Sequence, residues 1–388
     1  MNRDDMANDY QKIFGQPPNN IFFSPGRINL IGEHTDYNGG KVFPCAISLG
    51  TYAHVSLRDD LLVAAYSANF PEDGVITFSL DYLDYEREHH WANYLKGMLF
   101  YLQEKFGNFD RGFNIHIYGN IPSGASLSSS ASLEVLTGMV AKELYQLNIS
   151  RTDIALMGMR VENEYLSLKS GIMDQFIIAH GRQNHALLLN TSDLAFEAIP
   201  LNFRNYQIVI MNSLTRRELV DSEYNMRRQE CEEALYRLQS ELDIDNLCAL
   251  NEQQFESFRY LIADKKLERR ARHVIYENKR TERAVKALKN NKLKEFGQLM
   301  NESHRSLHKD YEVTVEETNL LVELAWEHPG VIGARMTGGG FGGCCIAIVE
   351  EKQIDSFKNH VGQLFEKKIG HPAEFYIVQT ADGARKIG

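Results

Sequence analysis

The sequence predicts an α+β protein of two domains, and three observations carry that reading. The chain has 388 residues, too many for one ordinary hydrophobic core. Residues 113–147 read as strand, Gly/Ser-rich loop and helix in that order. After a long helical block, the final fifty or so residues return to a Gly-rich loop, a strand, a helix and a strand.

Phe113-Asn114-Ile115-His116-Ile117 alternates apolar and polar, the period of a half-buried strand. Beyond the Gly119–Gly124 turn, Leu133, Leu136, Val140, Leu144 and Leu147 fall at helical spacings of three and four. A second helical block covers about Thr152 to Leu168, followed by a loop at Ser170-Gly171 and apolar Ile172 to Ala179. Ala186–Leu189 and Tyr206–Ile210 read as strands. From about Leu214 to Asn301 the chain is helical and dense in Lys, Arg and Glu. Cys344–Val349 is a strand, Gln353–Lys368 a helix and Phe375–Val378 a strand. The domain boundary falls near 195–205, which gives domains 1–200 and 201–388.

Hydrophobic content of 43% and charged content of 24% exclude a disordered or fibrous chain. Net charge is −10, unfavourable for a broad hold on nucleic acid or anionic membrane. No apolar run approaches the roughly 18–20 residues that span a bilayer. The start, Met1 to Met6, is acidic and is not expected to be a secretory signal. Cys45, Cys231, Cys248, Cys344 and Cys345 show no Cys-x-x-Cys pair and suit buried thiols in a reducing, cytoplasmic compartment.

Five segments bear on chemistry. Gly119-x-x-x-x-Gly124 has the spacing of a phosphate loop, but Ala125 stands where that motif needs Lys. What remains, Gly124-Ala125-Ser126-Leu127-Ser128-Ser129-Ser130-Ala131-Ser132, leads small residues and hydroxyls into a helix N-terminus, which suits an anion or a plain helix cap equally. Gly338, Gly340 and Gly343 fit G-x-G-x-x-G, yet a strand rather than a helix follows, so a dinucleotide site is rejected for a tight loop at a site or domain seam. His304 and His308 lie one helical turn apart without a third ligand and read as a solvated helix face; Lys265–Arg272, interleaved with acids, reads as a solvent-facing helix. The segment Gly26–Gly40 is different. Within fifteen residues it sets Arg27, Asn29, Glu33, His34, Thr35, Asp36 and Tyr37 among glycines, a density of donors and acceptors that suits several hydroxyls of a polyol. Apolar Ile28, Leu30, Ile31 and Val42-Phe43 argue that it is buried rather than a surface loop.

Gly26–Gly40 closely resembles the signature of the galactokinases. Gly124–Ser132 resembles the nucleotide loop of the wider galacto-, homoserine, mevalonate and phosphomevalonate kinase superfamily, and Met336–Gly343 its C-terminal Gly-rich motif. One departure is Ser126, where many relatives have Gly. The resemblance spans essentially the whole chain. It implies a mixed α/β N-terminal domain, a ferredoxin-like C-terminal domain and an active site in the cleft. The implied reaction passes the γ-phosphoryl of ATP to the C1 hydroxyl of α-D-galactose, giving galactose 1-phosphate and ADP. By match to the motif, Glu33, His34, Thr35 and Asp36 hold sugar hydroxyls, Gly171 and Asp174 sit at the anomeric end, and Tyr224 contacts the sugar from the C-terminal half. Gly124, Ala125, Ser126, Leu127, Ser128, Ser129 and Ser130 cradle the nucleotide, with Ser67 as a further nucleotide contact. Ser130 and Glu162 hold Mg²⁺, a hard ion suited to hydroxyl and carboxylate ligands.

Phosphoryl transfer needs positioning, charge neutralisation and removal of the hydroxyl proton. Asp174 is the implied proton acceptor, and Arg27 its charge partner and the stabiliser of the transferring phosphoryl; which of the two dominates stays open. The small molecules galactose and ATP are the implied partners, without nucleic acid or membrane, and the chain is expected to act as a monomer. Two rivals remain: a kinase for N-acetylgalactosamine or a related sugar, and a sugar- and ATP-binding regulator without turnover.

Overall fold

Apolar alternation in the first half resolves into more sheet than the sequence suggests. The computed structural model describes residues 3–122, 124–215 and 220–388. Helix α1 (Arg3–Phe14) leads into strand β1 (Asn20–Asn29), short β2 (Lys41–Val42) and long β3 (Pro44–Leu57). Strands β4 (Leu62–Ser67) and β5 (Val75–Ser79) precede α2 (Ala92–Phe106), β6 (Phe113–Gly119) and α3 (Ser129–Leu144). Helix α4 (Arg151–Arg160) runs on through a π-helical turn at Val161–Tyr165, and α5 (Met173–His180), β7 (His185–Asn190) and β8 (Phe196–Pro200) follow. The second half continues with β9 (Tyr206–Asn212), α6 (Val220–Leu238), α7 (Glu252–Phe258), α8 (Lys265–Lys289), α9 (Leu293–Ser306) and α10 (Glu316–Glu327). It ends with β10 (Val331–Met336), β11 (Cys344–Glu350), α11 (Ile354–Ile369), β12 (Glu374–Val378) and β13 (Arg385–Lys386).

Six strands form one sheet in the order β13-β1-β3-β6-β4-β5, antiparallel except where β4 runs parallel to β6; β2, β7 and β8 form a smaller one. The second half builds a four-stranded antiparallel sheet, β10-β11-β9-β12. Taken along the chain, its strands and helical segments follow β-α-β-β-α-β, the ferredoxin-like succession. Buried Ile28, Leu30, Phe43 and Cys45 of the first half share one apolar layer with Ile210, Phe296, Met300 and Ile346 of the second. That shared layer holds the two halves together and leaves a cleft above it.

Four features differ from what the sequence suggests. The first motif begins in strand β1, which runs through Gly26 to Asn29 with a bulge between Pro25 and Gly26; it becomes a loop only beyond Asn29. Of the helical block expected from Leu214, Leu214 and Thr215 are not helical, positions 216–219 lie outside the described residues, as does Ser123 in the earlier turn, and α6 is described from Val220. The basic run on α8 is solvated on one face only. Asp264 Oδ1 caps this helix by accepting from Lys266 N and Leu267 N, and Leu267, Arg270, Ala271 and Val274 turn inward. Buried Arg270 bonds Glu230, Glu312 and the Asp310 carbonyl. On α9, His308 is exposed but His304 is buried, and its Nδ1 accepts from Met336 N at 3.2 Å. Among the described residues no group of three or more His, Cys, Asp or Glu could hold a metal. No helix described is long and apolar enough to cross a membrane.

Candidate active site

A cavity of about 330 Å³ opens between the halves, lined by Arg27, Glu33, His34 and Asp36, by residues 124–130, and by Glu162, Gly171, Asp174, Tyr224 and Gly338–Gly340. All three sequence motifs therefore meet at one place.

Its organising group is Arg27. A Cβ on neighbouring Gly26 would lie 2.9 Å from the Leu127 carbonyl, so glycine is what lets the serine loop dock against β1. The Arg27 guanidinium is almost fully buried. Its Nε and Nη2 donate to Asp174 Oδ1 and Oδ2 at 2.8 and 2.7 Å, while Nη1 donates to the Ser126 carbonyl at 2.6 Å. Burial opposes the Arg27 charge, but Asp174 more than offsets this and raises its pKa. Asp174 lies in the first turn of α5 and also accepts from Ser128 Oγ. One bidentate pair thus joins β1, the serine loop and α5.

Beyond β1 the loop turns its polar groups into the cavity wall. Glu33, 1% exposed, accepts from Asn29 Nδ2 at 2.7 Å, Gly338 N at 2.8 Å and Arg335 Nη1 at 3.3 Å. Burial pushes its carboxyl up, with Arg335 the first of the influences that oppose this. His34 Nδ1 lies 2.8 Å from Tyr37 Oη, which lies 2.8 Å from Tyr311 Oη; among the described residues no group lies within hydrogen-bond geometry of Nε2. Burial holds the His34 pKa well below the usual histidine range, so the ring is neutral and offers one donor or one acceptor. Asp36 is pushed up to about 7 by burial and by the adjacent Asp174 charge. A Cβ on Gly171 would meet Asp36 Oδ2 at 2.0 Å, so that contact requires glycine. Tyr224 of α6 closes the wall, its ring centroid 5.5 Å from that of His34.

The phosphate-facing side is built from small residues. Ser126 and Ser128 both take left-handed backbone, with φ of +55° and +62°, and α3 begins at Ser129. The Ser126 departure therefore places a serine where the backbone favours glycine. Ser130 Oγ donates to Glu162 Oε1 at 3.0 Å, so two residues 32 positions apart do meet. Glu162 is buried and raised by burial, with the Asp174 charge adding to this. Glu134, one turn along α3, is buried, its Oε1 without a hydrogen-bond partner among the described residues, and burial followed by Glu162 raises it well above the usual range. The Ser130 hydroxyl and the Glu162 carboxylate are a donor pair of the kind a hard cation accepts.

The structure does not bring Thr35 or Ser67 to the cavity. Thr35 Oγ1 lies 2.9 Å from the carbonyls of Gly32 and Lys41, where it braces the loop from behind. Ser67 ends β4 beside Ile117, buried in the sheet, and its Oγ accepts from Asn69 N at 3.3 Å. Sequence reasoning also missed the residues that hold the first motif in place. Thr337 Oγ1 accepts from Asn29 N at 2.9 Å, Glu277 Oε1 accepts from Gly32 N at 3.0 Å, and His273 Nε2 lies 3.2 Å from the Glu33 carbonyl. The one available signal was Arg335, a lone charge in an otherwise apolar strand before the Gly-rich loop.

Known proteins resemble this chain over almost its whole length. Residues 8–57 match the galactokinase galactose-binding signature, 93–182 the GHMP kinases N terminal domain and 284–367 the GHMP kinases C terminal region. The chain is 51% identical over 382 residues to the galactokinase of Levilactobacillus brevis, covering 98% of this chain and 99% of that one. It is 53% identical over 374 residues to the galactokinase of Clostridium perfringens, covering 96% and 97%. The crystal structure of Lactococcus lactis galactokinase complexed with galactose superposes with a TM-score of 0.97 at 46% identity, covering 99% of both chains.

Proposed function

The chain belongs to the galactokinase family, and from that premise we propose how its cavity acts on the two substrates. It is an ATP-dependent sugar kinase that passes the γ-phosphoryl of ATP to the C1 hydroxyl of α-D-galactose, giving galactose 1-phosphate and ADP. The observation that carries the residue assignment is the Arg27–Asp174 pair with Ser128 on the same carboxylate, at the point where the polar loop meets the serine loop.

Galactose lies along Glu33, His34, Asp36 and Tyr224, with its C1 hydroxyl toward Gly171 and Asp174. Asp174 accepts the C1 proton as the oxygen attacks phosphorus, and Arg27 offsets the negative charge that develops. The backbone of residues 124–130 cradles the phosphates at the start of α3. Ser130 and Glu162 would hold Mg²⁺, whose charge offsets that of the β- and γ-phosphates; water and phosphate oxygens would complete its shell. Thr35 acts as a brace rather than a sugar ligand. The domain boundary is placed at 200, between β8 and β9. A cytoplasmic location and a monomeric state belong to the same proposal; the five unpaired thiols, four of them buried, suit a reducing compartment.

The test is sugar-dependent ADP release with galactose, glucose and N-acetylgalactosamine, with galactose 1-phosphate measured as product. Faster turnover of N-acetylgalactosamine would reassign the substrate. Tight galactose binding without product would make the chain a regulator.

A further inference from the structure

A second cavity, about 310 Å³, lies on the second half where α8 packs against α9, and no step of the reaction uses it. Four cations line it: Arg272, Arg280, Arg305 and Lys309. Two carboxylates share the wall, and both are engaged. Glu302 accepts from Gln298 Nε2 and Asp310 from Ser306 Oγ, each at 3.2 Å. Behind the wall Glu268 and Glu277 pair with Arg272 and Arg280, so the cations left to face the cavity are Arg305 and Lys309. Among the described residues Arg305 and Lys309 have no carboxylate partner; Arg305 lies over the Trp326 ring at 4.7 Å. Arg272 is paired with Glu268 at 2.7 Å. Planar guanidinium forks converging with a free ammonium match the oxygens of a phosphate group.

The floor of this cavity reaches the sugar-facing loop by two short arms. Arg280 pairs with Glu277, which is fully buried and accepts from Gly32 N at 3.0 Å and from Ser303 Oγ at 2.5 Å. Ser306 Oγ lies 2.9 Å from His273 Nδ1, and His273 Nε2 lies 3.2 Å from the Glu33 carbonyl. A group that draws on Arg280 or Ser306 therefore acts one side chain away from Gly32 and Glu33.

We propose that this cavity is a regulatory site for a small phosphomonoester, held by Arg280, Arg305 and Lys309 and coupled to the sugar-binding loop through Glu277 and His273. The volume exceeds that of phosphate alone and leaves room for a small organic group. Binding shares the Arg280 charge between Glu277 and the ligand, loosens the hold on Gly32, and so weakens galactose binding. The proposal rests on the reading of Glu33 and its neighbours as sugar ligands.

Inorganic phosphate serves as the probe, titrated into the full chain at constant ionic strength and followed by ³¹P line broadening. The parent should bind it saturably. The doubly substituted Arg305→Gln, Lys309→Gln chain should bind at least about tenfold more weakly, since two charge-assisted contacts are lost. Neither side chain lines the catalytic cavity, so turnover without phosphate should match the parent. Saturating phosphate should raise the galactose KM of the parent on the order of fivefold and leave that of the double variant unmoved. Absent binding, or equal binding in the two proteins as phosphate in the serine loop would give, overturns the site. Binding that leaves the parent's galactose KM unmoved overturns the coupling. The sugar-loop reading is checked apart from both: it fails if Asp36→Ala leaves the galactose KM unchanged in phosphate-free buffer.

Discussion

Gly26–Gly40 and Gly124–Ser130 face each other across one cavity, yet they are held in different ways. The first is braced from the other half of the molecule, by Glu277, Arg335, Thr337 and Gly338, which lie 245 to 308 positions away from their partners. The carbonyls of Ser126 and Leu127 in the second both accept from Arg27. The difference follows from what the proposed function asks each end to bind. Telling one ring hydroxyl from its epimer requires donors and acceptors fixed against a rigid frame, because discrimination comes from leaving a buried group unpaired. A phosphate chain needs only converging N–H groups and hydroxyls, which a short small-residue loop at a helix start provides.

The largest expected effect is at the junction of the two ends. Asp174→Asn keeps the shape of the side chain but cannot take a proton, and it weakens the bidentate pair with Arg27. Turnover should fall at least ~10², the low end of general-base assistance. Galactose and ATP should bind within about tenfold of the parent, since most contacts to each lie elsewhere. Thermal melting and turnover measured on one sample decide it. A protein that melts early yet keeps more than about a tenth of its rate would make Asp174 a loop brace rather than the base.

The next variant tests the bracing itself. Arg335 is fully buried and faces Glu33 at 3.3 Å. Arg335→Leu leaves a buried carboxylate without its cation, which typically costs about 3 kcal/mol or more. Chemical denaturation should show that loss, and the galactose KM should rise while the ATP KM stays close to the parent value. Equal loss of both affinities would mean that the two ends are not separately built.

This contrast also explains what could be read from the sequence. Arg27, Glu33, His34 and Asp36 were legible because they crowd into one short motif, and Ser128–Ser130 because strand, loop and helix follow in order. Ser130 with Glu162 and Arg27 with Asp174 came from resemblance alone, since nothing local links residues 32 and 147 positions apart. Glu277 and His273 were not legible, each an ordinary charge or ring on a helix until the two halves pack; Arg335 showed only as a lone charge in an apolar strand, with nothing local to name its partner. Thr35 lies off the cavity for the converse reason: its hydroxyl satisfies backbone carbonyls that only the folded loop brings together. Ser67 lies off it because pairing of β4 with β6 buries it within the sheet. The helical blocks were the most legible, their spacing being a local property, whereas β1 carries a bulge at Pro25-Gly26 that breaks its strand pattern.

Asp36 gives the sugar end a pH signature. Its carboxyl is raised to about 7 in the fold and lies near 4 when unfolded. Between these values the folded chain keeps a proton that the unfolded chain has lost, so stability declines as pH rises and the loss is complete above about 7. In the sugar-free parent, stability should drop by about 2 kcal/mol between pH 5 and 7 relative to Asp36→Asn, which carries no such proton. Parallel stability profiles for the two proteins would show that Asp36 does not titrate in this window.

At the phosphate end the expected effects are smaller. Glu162→Gln removes one negative charge from the pair with Ser130. The Mg²⁺ concentration for half-maximal rate should rise on the order of tenfold, about 1.4 kcal/mol, with galactose affinity unchanged. Superimposable Mg²⁺ titrations would remove Glu162 from the ligand set.

Ser126→Gly should have the least effect. The backbone at this position has a φ of +55°, a conformation glycine adopts freely and serine at some cost. The substitution relieves that strain but gives the unfolded chain more freedom, and the two contributions are similar in size and opposite in sign. The serine hydroxyl packs against the third motif, with Oγ 2.6 Å from where a Cβ on Gly343 would lie, so a small contact is also lost. The net change in stability should stay within about 1 kcal/mol, and the ATP KM should move by less than about threefold. A much larger rise in the ATP KM, with stability intact, would show that the serine loop depends on the C-terminal Gly-rich loop as closely as the sugar end depends on Arg335. The contrast between the two ends would then reduce to one of ligand chemistry, with no difference in how each is held.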